Sequence, residues 1–353
     1  MNALPAALTA ATTALLIGGL ATPQTATRTA PKTIATESGR IHAVAQDSNA
    51  IAWIGTHYLV RVRRLSPAHT YLVGSGIGHY EHVTHPLALA GLQALWTTAD
   101  AGNFIYTNVH TGSPSFRDRV VFNLSYMPGP PDGLYLGGMA GDDSNLIFGA
   151  TSQRCDSEID CRRIDVEGQV ERVTTKATAI AGLPAPFLLA TSSGRIAVVP
   201  AKTPRFSPDL GPPRAAEYAP VQVYDGSGNL ISTVVPPGTP RAIALSWPKL
   251  AVLFEFVDGT RQIQLYDART GGYWASGGEA VFRKVPVTVN RVSVGPPGAV
   301  YSVGSAIYLL RTQQPQLVWR SAGSPVGLSI SGNRIVWGEN VKGHGRIRAL
   351  TVR

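Results

Sequence analysis

Short apolar runs separated by polar turns recur along the whole chain, and one of them returns seven times in nearly the same form. The copies close on a large apolar residue: Trp53 (NAIAW), Trp96 (LQALW), Phe148 (NLIF), Val198 (GRIAV), Val252 (PKLAV), Tyr301 (PGAVY) and Trp337 (NRIVW). By these numbers the copies stand 36 to 54 residues apart. A shorter apolar segment precedes each copy, at 42–45, 87–90, 134–137, 187–190, 242–245, 291–294 and 326–330. The intervening turns draw on Asp47-Ser48-Asn49, Asp142-Asp143-Ser144-Asn145, Ser192-Ser193-Gly194, Trp247-Pro248, Pro296-Pro297-Gly298 and Ser331-Gly332-Asn333. Gly and Asn reach positive φ, Pro presets φ, and Asp and Ser bond their own backbone, so each cluster predicts a tight reversal.

Downstream of several copies the pattern alternates strictly, at 58–63, 221–224, 262–266 and 346–350. A period of two puts polar residues on one strand face and apolar residues on the other. A fourth, outer strand is expected at 70–73, 119–122, 169–173, 230–234, 273–275 and 317–320. Four short strands about every fifty residues predict an all-β, seven-bladed β-propeller, because one blade cannot bury its faces without neighbours. The seventh copy reaches only its third strand, while 33–37 (TIATE) stands ahead of the first copy. That N-terminal strand is expected to complete the last blade and close the ring, which removes an open edge.

The seven copies, the Asp/Ser/Asn/Gly turn before the second strand, and the two Tyr-Asp…Gly turns at 224–228 and 266–272 resemble exported bacterial TolB-like and WD-repeat-like propellers over 33–353. The paired His and Trp-Asp signatures of true WD repeats are absent, so the likeness lies in architecture. It implies extracytoplasmic scaffolding or protein binding, and none of the family's functional residues maps onto numbered positions here.

Composition adds a location and a charge. The first 26 residues carry no charged side chain, and their apolar stretch at 6–21 reads as a signal peptide. The expected organisation is a signal peptide at 1–26, a linker at 27–32 and the propeller domain at 33–353, secreted or periplasmic/cell-envelope, with no transmembrane segment in the mature chain. Lys and Arg number 31 against 22 Asp and Glu, for a net charge of +9. A basic surface favours anionic partners. The expected partner is a protein or an anionic cell-envelope polymer, with no specific nucleic acid, and the chain is expected to be a monomer.

Candidate chemistry is sparse. Arg61, Arg63, Arg346 and Arg348 fall on neighbouring blades one and seven and form the candidate ligand-binding patch. His79, His82 and His85 cluster within seven residues and form the candidate metal site, imidazole being a common ligand for zinc or copper. Cys155 and Cys161, the two cysteines of the chain, flank a turn and are expected to form a hairpin disulfide. Asp142-Asp143 reads as turn chemistry, and the Pro-rich insertion at 201–220 as a loop within blade four. No Gly-x-Ser-x-Gly elbow or phosphate-cradling loop occurs, so no catalytic residue and no cofactor is assigned. The leading expectation is a binding or scaffold propeller acting through loops on one face. The alternatives are an envelope hydrolase or lyase acting on glycans at the funnel, and a metal-binding protein built on the His cluster.

Overall fold

A computed structural model describes residues 30–76, 87–101, 105–126, 133–155, 164–201 and 220–353. Seven four-stranded antiparallel sheets and one two-stranded hairpin account for the strands in these segments. Blade one comprises Ala43–Gln46, Ala50–Ile54, Leu59–Leu65 and Ala68–Ser75. Blade two follows with Leu87–Ala90, Gln93–Ala101, Ile105–Ser113 and Phe116–Tyr126, and blade three with Gly133–Gly141, Leu146–Cys155, Ile164–Val173 and Ala177–Ala179. Blade four has Pro186–Ser192, Arg195–Pro200, Val221–Tyr224 and Leu230–Val234; blade five has Thr239–Ser246, Lys249–Glu255, Arg261–Asp267 and Phe282–Val285. Blade six contains Ser293–Gly295, Gly298–Val303, Ala306–Leu310 and Gln316–Arg320. Blade seven contains Val326–Ser331, Arg334–Val341 and His344–Thr351, and the N-terminal strand Lys32–Glu37 supplies its outer edge by pairing with His344–Thr351. Each first strand touches the first strands of both neighbouring blades, so the seven surround a central axis. The expected seven-bladed propeller, ring closure included, is what the chain forms.

The core is a set of seams between blades. The seven repeated apolar residues are all buried, and each packs against the preceding blade: Trp53 on blade seven, Trp96 on one, Phe148 on two, and so on to Trp337 on six. The residue just before each one faces the following blade, as Ala52, Leu95, Ile147, Ala251 and Val336 show. This is the period-two pattern of a strand buried on both faces, and it explains the near-continuous apolar run of the phrase. Fully burying one such side chain stabilises the fold by about 1.5–3 kcal/mol. The Trp96 indole is accommodated by missing side chains. A Cβ on Gly74 would lie 2.3 Å from its Cζ2 atom, and one on Gly112 would lie 3.1 Å from its Cη2 atom.

Two outer strands depart from the sequence reading. In blade three, residues 169–173 belong to the third strand, because Ile164–Val173 pairs residue for residue with Leu146–Cys155; the outer strand is the short Ala177–Ala179. In blade five, Tyr273 makes an isolated bridge to Tyr266, and the chain then leaves the sheet in the hairpin Ala275–Ser276/Glu279–Ala280. It rejoins at Val281, whose carbonyl accepts from the Leu265 N–H, and Phe282–Val285 forms the outer strand. Gly277 and Gly278 permit this excursion, both at positive φ as a two-residue reversal requires.

On one face of the disc the turns between first and second strands are tied from blade to blade. The Asp142 Oδ1 carboxylate oxygen accepts from the backbone N–H groups of Ser144 and Asn145 at 2.8 and 2.7 Å. Its Oδ2 accepts from the Thr191 hydroxyl (3.0 Å) and the Gly194 N–H (3.3 Å) of blade four. Asp47 repeats the local turn, accepting from the N–H groups of Asn49 and Ala50 at 2.8 Å each. Arg334 of blade seven donates to the Gln46 side chain (2.9 Å) and the Asp47 carbonyl (2.6 Å). The opposite face, where the chain enters each first strand, carries the cavity described next.

Candidate functional site

The first strand of blade six is cut short. Its ladder with the second strand runs Ser293↔Val300, Val294↔Ala299 and Gly295↔Gly298, and ends there. Continuing that register would set Arg291 opposite Ser302, but residues 286–292 leave the sheet instead. The gap opens a cavity of about 250 Å³ at the mouth of the central axis, across blades six, seven and one. Thr288, Asn290, Arg291, Val300 and Ser302 come from blade six, Pro325 to Leu328 from the entry to blade seven, and His42 from the entry to blade one. Gly327 lets blade seven approach blade one here: its φ is +60°, and a Cβ would lie 2.4 Å from the Val44 nitrogen.

The parts of this site are held from behind. Arg261 donates to the Val287 and Val289 carbonyls at 2.6 and 2.8 Å, and its Nε meets Glu255 at 2.7 Å. Arg241 holds the other Glu255 oxygen at 2.6 Å. Burial pushes the Glu255 carboxyl up, but the hydrogen bonds from Arg241 and Arg261 outweigh it and leave its pKa lowered. Val289 is buried in the seam between blades five and six. The loop carrying Thr288, Asn290 and Arg291 is therefore pinned at two carbonyls and one side chain. On the other side, the His42 ring stacks on Tyr58 at 4.5 Å between centroids. Tyr58 and His57 both adopt positive φ, at 55° and 56°, a conformation costly for side-chain-bearing residues and concentrated at functional sites.

Arg291 dominates the electrostatics. Arg291 is exposed to solvent at the mouth, and the protein packed beside it dehydrates it enough to pull its pKa below the ordinary value. Among the described residues no carboxylate hydrogen-bonds or ion-pairs with it. Among the described residues the lining contains one imidazole and no Asp or Glu. Such a set can take up and orient an anionic group; it has no carboxylate pair for glycosidic acid–base work.

The four arginines read from the sequence lie in two different seams. Arg61 pairs with Glu37 of the closing strand at 3.2 Å, and Arg63 donates to Thr70 at 3.0 Å, toward blade seven. Arg346 and Arg348 approach Glu339 at 3.2 and 3.8 Å, on the side of blade seven that faces blade six. In both seams an indole also donates to the carboxylate, Trp53 to Glu37 (2.7 Å) and Trp337 to Glu339 (3.2 Å). Blade seven stands between the two pairs, so they do not form one continuous patch. His79, His82, His85 and Cys161 lie outside the described residues, as do 1–29 and 202–219. Cys155 is the last residue of the second strand of blade three, opposite Ile164. Among the described residues no group of three or more His, Cys, Asp or Glu is arranged to hold a metal ion, and no helix is long and apolar enough to cross a membrane.

One constellation had no signal in the sequence. Thr98 Oγ1 lies 2.9 Å from His110 Nε2, and His110 Nδ1 lies 2.6 Å from Asp118 Oδ1. Trp96 stacks on the imidazole at 5.5 Å. The order hydroxyl, imidazole, carboxylate is that of acyl-transfer nucleophiles. Here it spans three strands on the Trp96 side of blade two, toward blade one, and none of the three residues lines the mouth cavity. It ties the seam together around the indole.

No family model and no curated protein matches the chain. Among solved structures, the crystal structure of the computationally designed Ika8 protein aligns with 91% of this chain and 98% of its own, at 11% identity and a TM-score of 0.44. BamB from Moraxella catarrhalis aligns over 87% of this chain and 85% of its own, at 12% identity and a TM-score of 0.39. Likenesses at this level carry no functional argument, and the propeller assignment rests on the seven sheets and their seams.

Proposed function

We propose that this chain is an exported binding module that holds a protein or an anionic cell-envelope polymer at the mouth of the propeller axis, on the face where blades six, seven and one receive the chain. The observation that carries this reading is Arg291, which lines a cavity with no carboxylate among its described lining residues. A solvent-exposed guanidinium with no carboxylate partner among the described residues is free to take up an anion from solution. The net charge of +9 adds long-range attraction for anionic partners. Export rests on the uncharged, apolar first 26 residues.

The test is capture from envelope extract at low salt with the full chain, followed by cross-linking and mapping of the cross-linked peptides. The expected result is a partner cross-linked within 286–302, 323–328 or 39–42. A chain that retains no partner, or one cross-linked only to outer strands, overturns the reading.

A further inference from the structure

The mouth cavity joins one cation, several neutral hydrogen-bonding side chains and an apolar wall. Resting on the reading of this mouth as the binding face, we propose that it is a carboxylate site, in which the Arg291 guanidinium takes the carboxylate end of a ligand and the half-buried Pro325 and Leu328 receive a short apolar stem.

Three features select that chemistry. A guanidinium presents parallel N–H donors that match the two oxygens of a carboxylate. Phosphate carries close to two negative charges at neutral pH, and its sites gather several cations, whereas the described lining residues offer a single arginine. The volume of about 250 Å³ lies just below the range of ordinary small-molecule pockets, so it suits a few heavy atoms or the tip of a longer chain projecting from the mouth. Ser302, left uncovered where the first strand stops, and Asn290 stand beside Arg291 as neutral partners for the carboxylate oxygens. The pinning of 287–289 by Arg261 means that the loop is ordered before any ligand arrives, which reduces the entropy lost on binding.

A carboxylate can come from a chain terminus or from a free acid, and the experiment separates them. The full chain is titrated calorimetrically with butyrate, with a leucine-terminated hexapeptide bearing a free C-terminus, with the same peptide amidated, and with inorganic phosphate. Saturable binding is expected for butyrate, the free-acid peptide or both, roughly tenfold or more tighter than for the amide and for phosphate. Binding by the free-acid peptide alone assigns a polypeptide terminus; equal or tighter binding by butyrate assigns a free acid. Arg291→Gln is expected to weaken the preferred probe at least about tenfold at an unchanged melting temperature. Arg291→Lys, which keeps the charge and loses the fork, is expected to fall between the two. The proposal is overturned if acid and amide peptides bind alike, if phosphate binds most tightly, if none of the probes saturates, or if both variants keep wild-type affinity. Capture from envelope extract distinguishes the levels: a partner held equally by wild type and Arg291→Gln leaves the binding module standing and removes the carboxylate site.

Discussion

At the scale of single residues, seams and turns give the sharpest expectations. Gly74→Ala places a methyl group against the Trp96 indole, 2.3 Å from Cζ2, and overpacking of this kind costs about 1–3 kcal/mol, read from the urea midpoint. Asp142 ties the turn of blade three to blade four. Burial pushes its carboxyl up, but hydrogen bonds from Ser144, Asn145, Gly194 and Thr191 prevail and leave its pKa lowered. A carboxylate with a lowered folded pKa contributes stability above its unfolded value and loses it as pH falls through the folded one. Asp142→Asn should therefore cost about 1–3 kcal/mol at neutral pH. Its melting temperature should converge on that of the wild type as the pH falls below the ordinary carboxylate range. A gap that is constant with pH would show that the charge contributes nothing. These residues divide by legibility. The Asp142 turn was readable because its chemistry is local, whereas the Gly74–Trp96 contact joins two blades and has no local trace.

At the scale of elements, the connection into blade six matters most. The apolar pattern predicts the first strand of blade six from 291, yet it runs only over Ser293–Gly295. Arg291 lies outside the ladder, and Arg261 holds the Val287 and Val289 carbonyls just upstream of it. Arg261→Ala should cost about 1–3 kcal/mol in chemical denaturation, since it removes donors from two carbonyls and half the pairing of Glu255. It should also weaken carboxylate binding without touching the cavity; intact binding would show that the loop holds its shape by other means. Blade five teaches the same lesson about legibility. Its Tyr-Asp…Gly turn was visible, but Gly277-Gly278 diverts the chain before the outer strand forms, and only pairing with Arg261–Asp267 decides where that strand resumes.

At the scale of the whole molecule, stability is shared around a closed ring. The closing strand contributes Ile34 and Ala35 to the seam between blades seven and one, and its Glu37 meets Trp53 and Arg61 of blade one. Removing residues 1–37 should expose the edge of His344–Thr351 and leave the Trp53 N–H and the Arg61 guanidinium without their carboxylate. The expected outcome is a lowered melting temperature with fluorescence and circular-dichroism transitions that no longer coincide; coincident transitions at the wild-type temperature would show that closure is dispensable. The sequence by itself determined the fold class, the blade number, the closing strand and the recurring apolar core positions. Those follow from periodicity and turn chemistry, which act between residues close in the chain. Only the tertiary structure decided that Arg61 and Arg63 are separated from Arg346 and Arg348 by blade seven, that Thr98, His110 and Asp118 meet, and that Arg291 faces a cavity shared by three blades. The first and last depend on how twisted sheets pack around an axis, and the second on the register between neighbouring strands; no local pattern of apolar and polar residues encodes either.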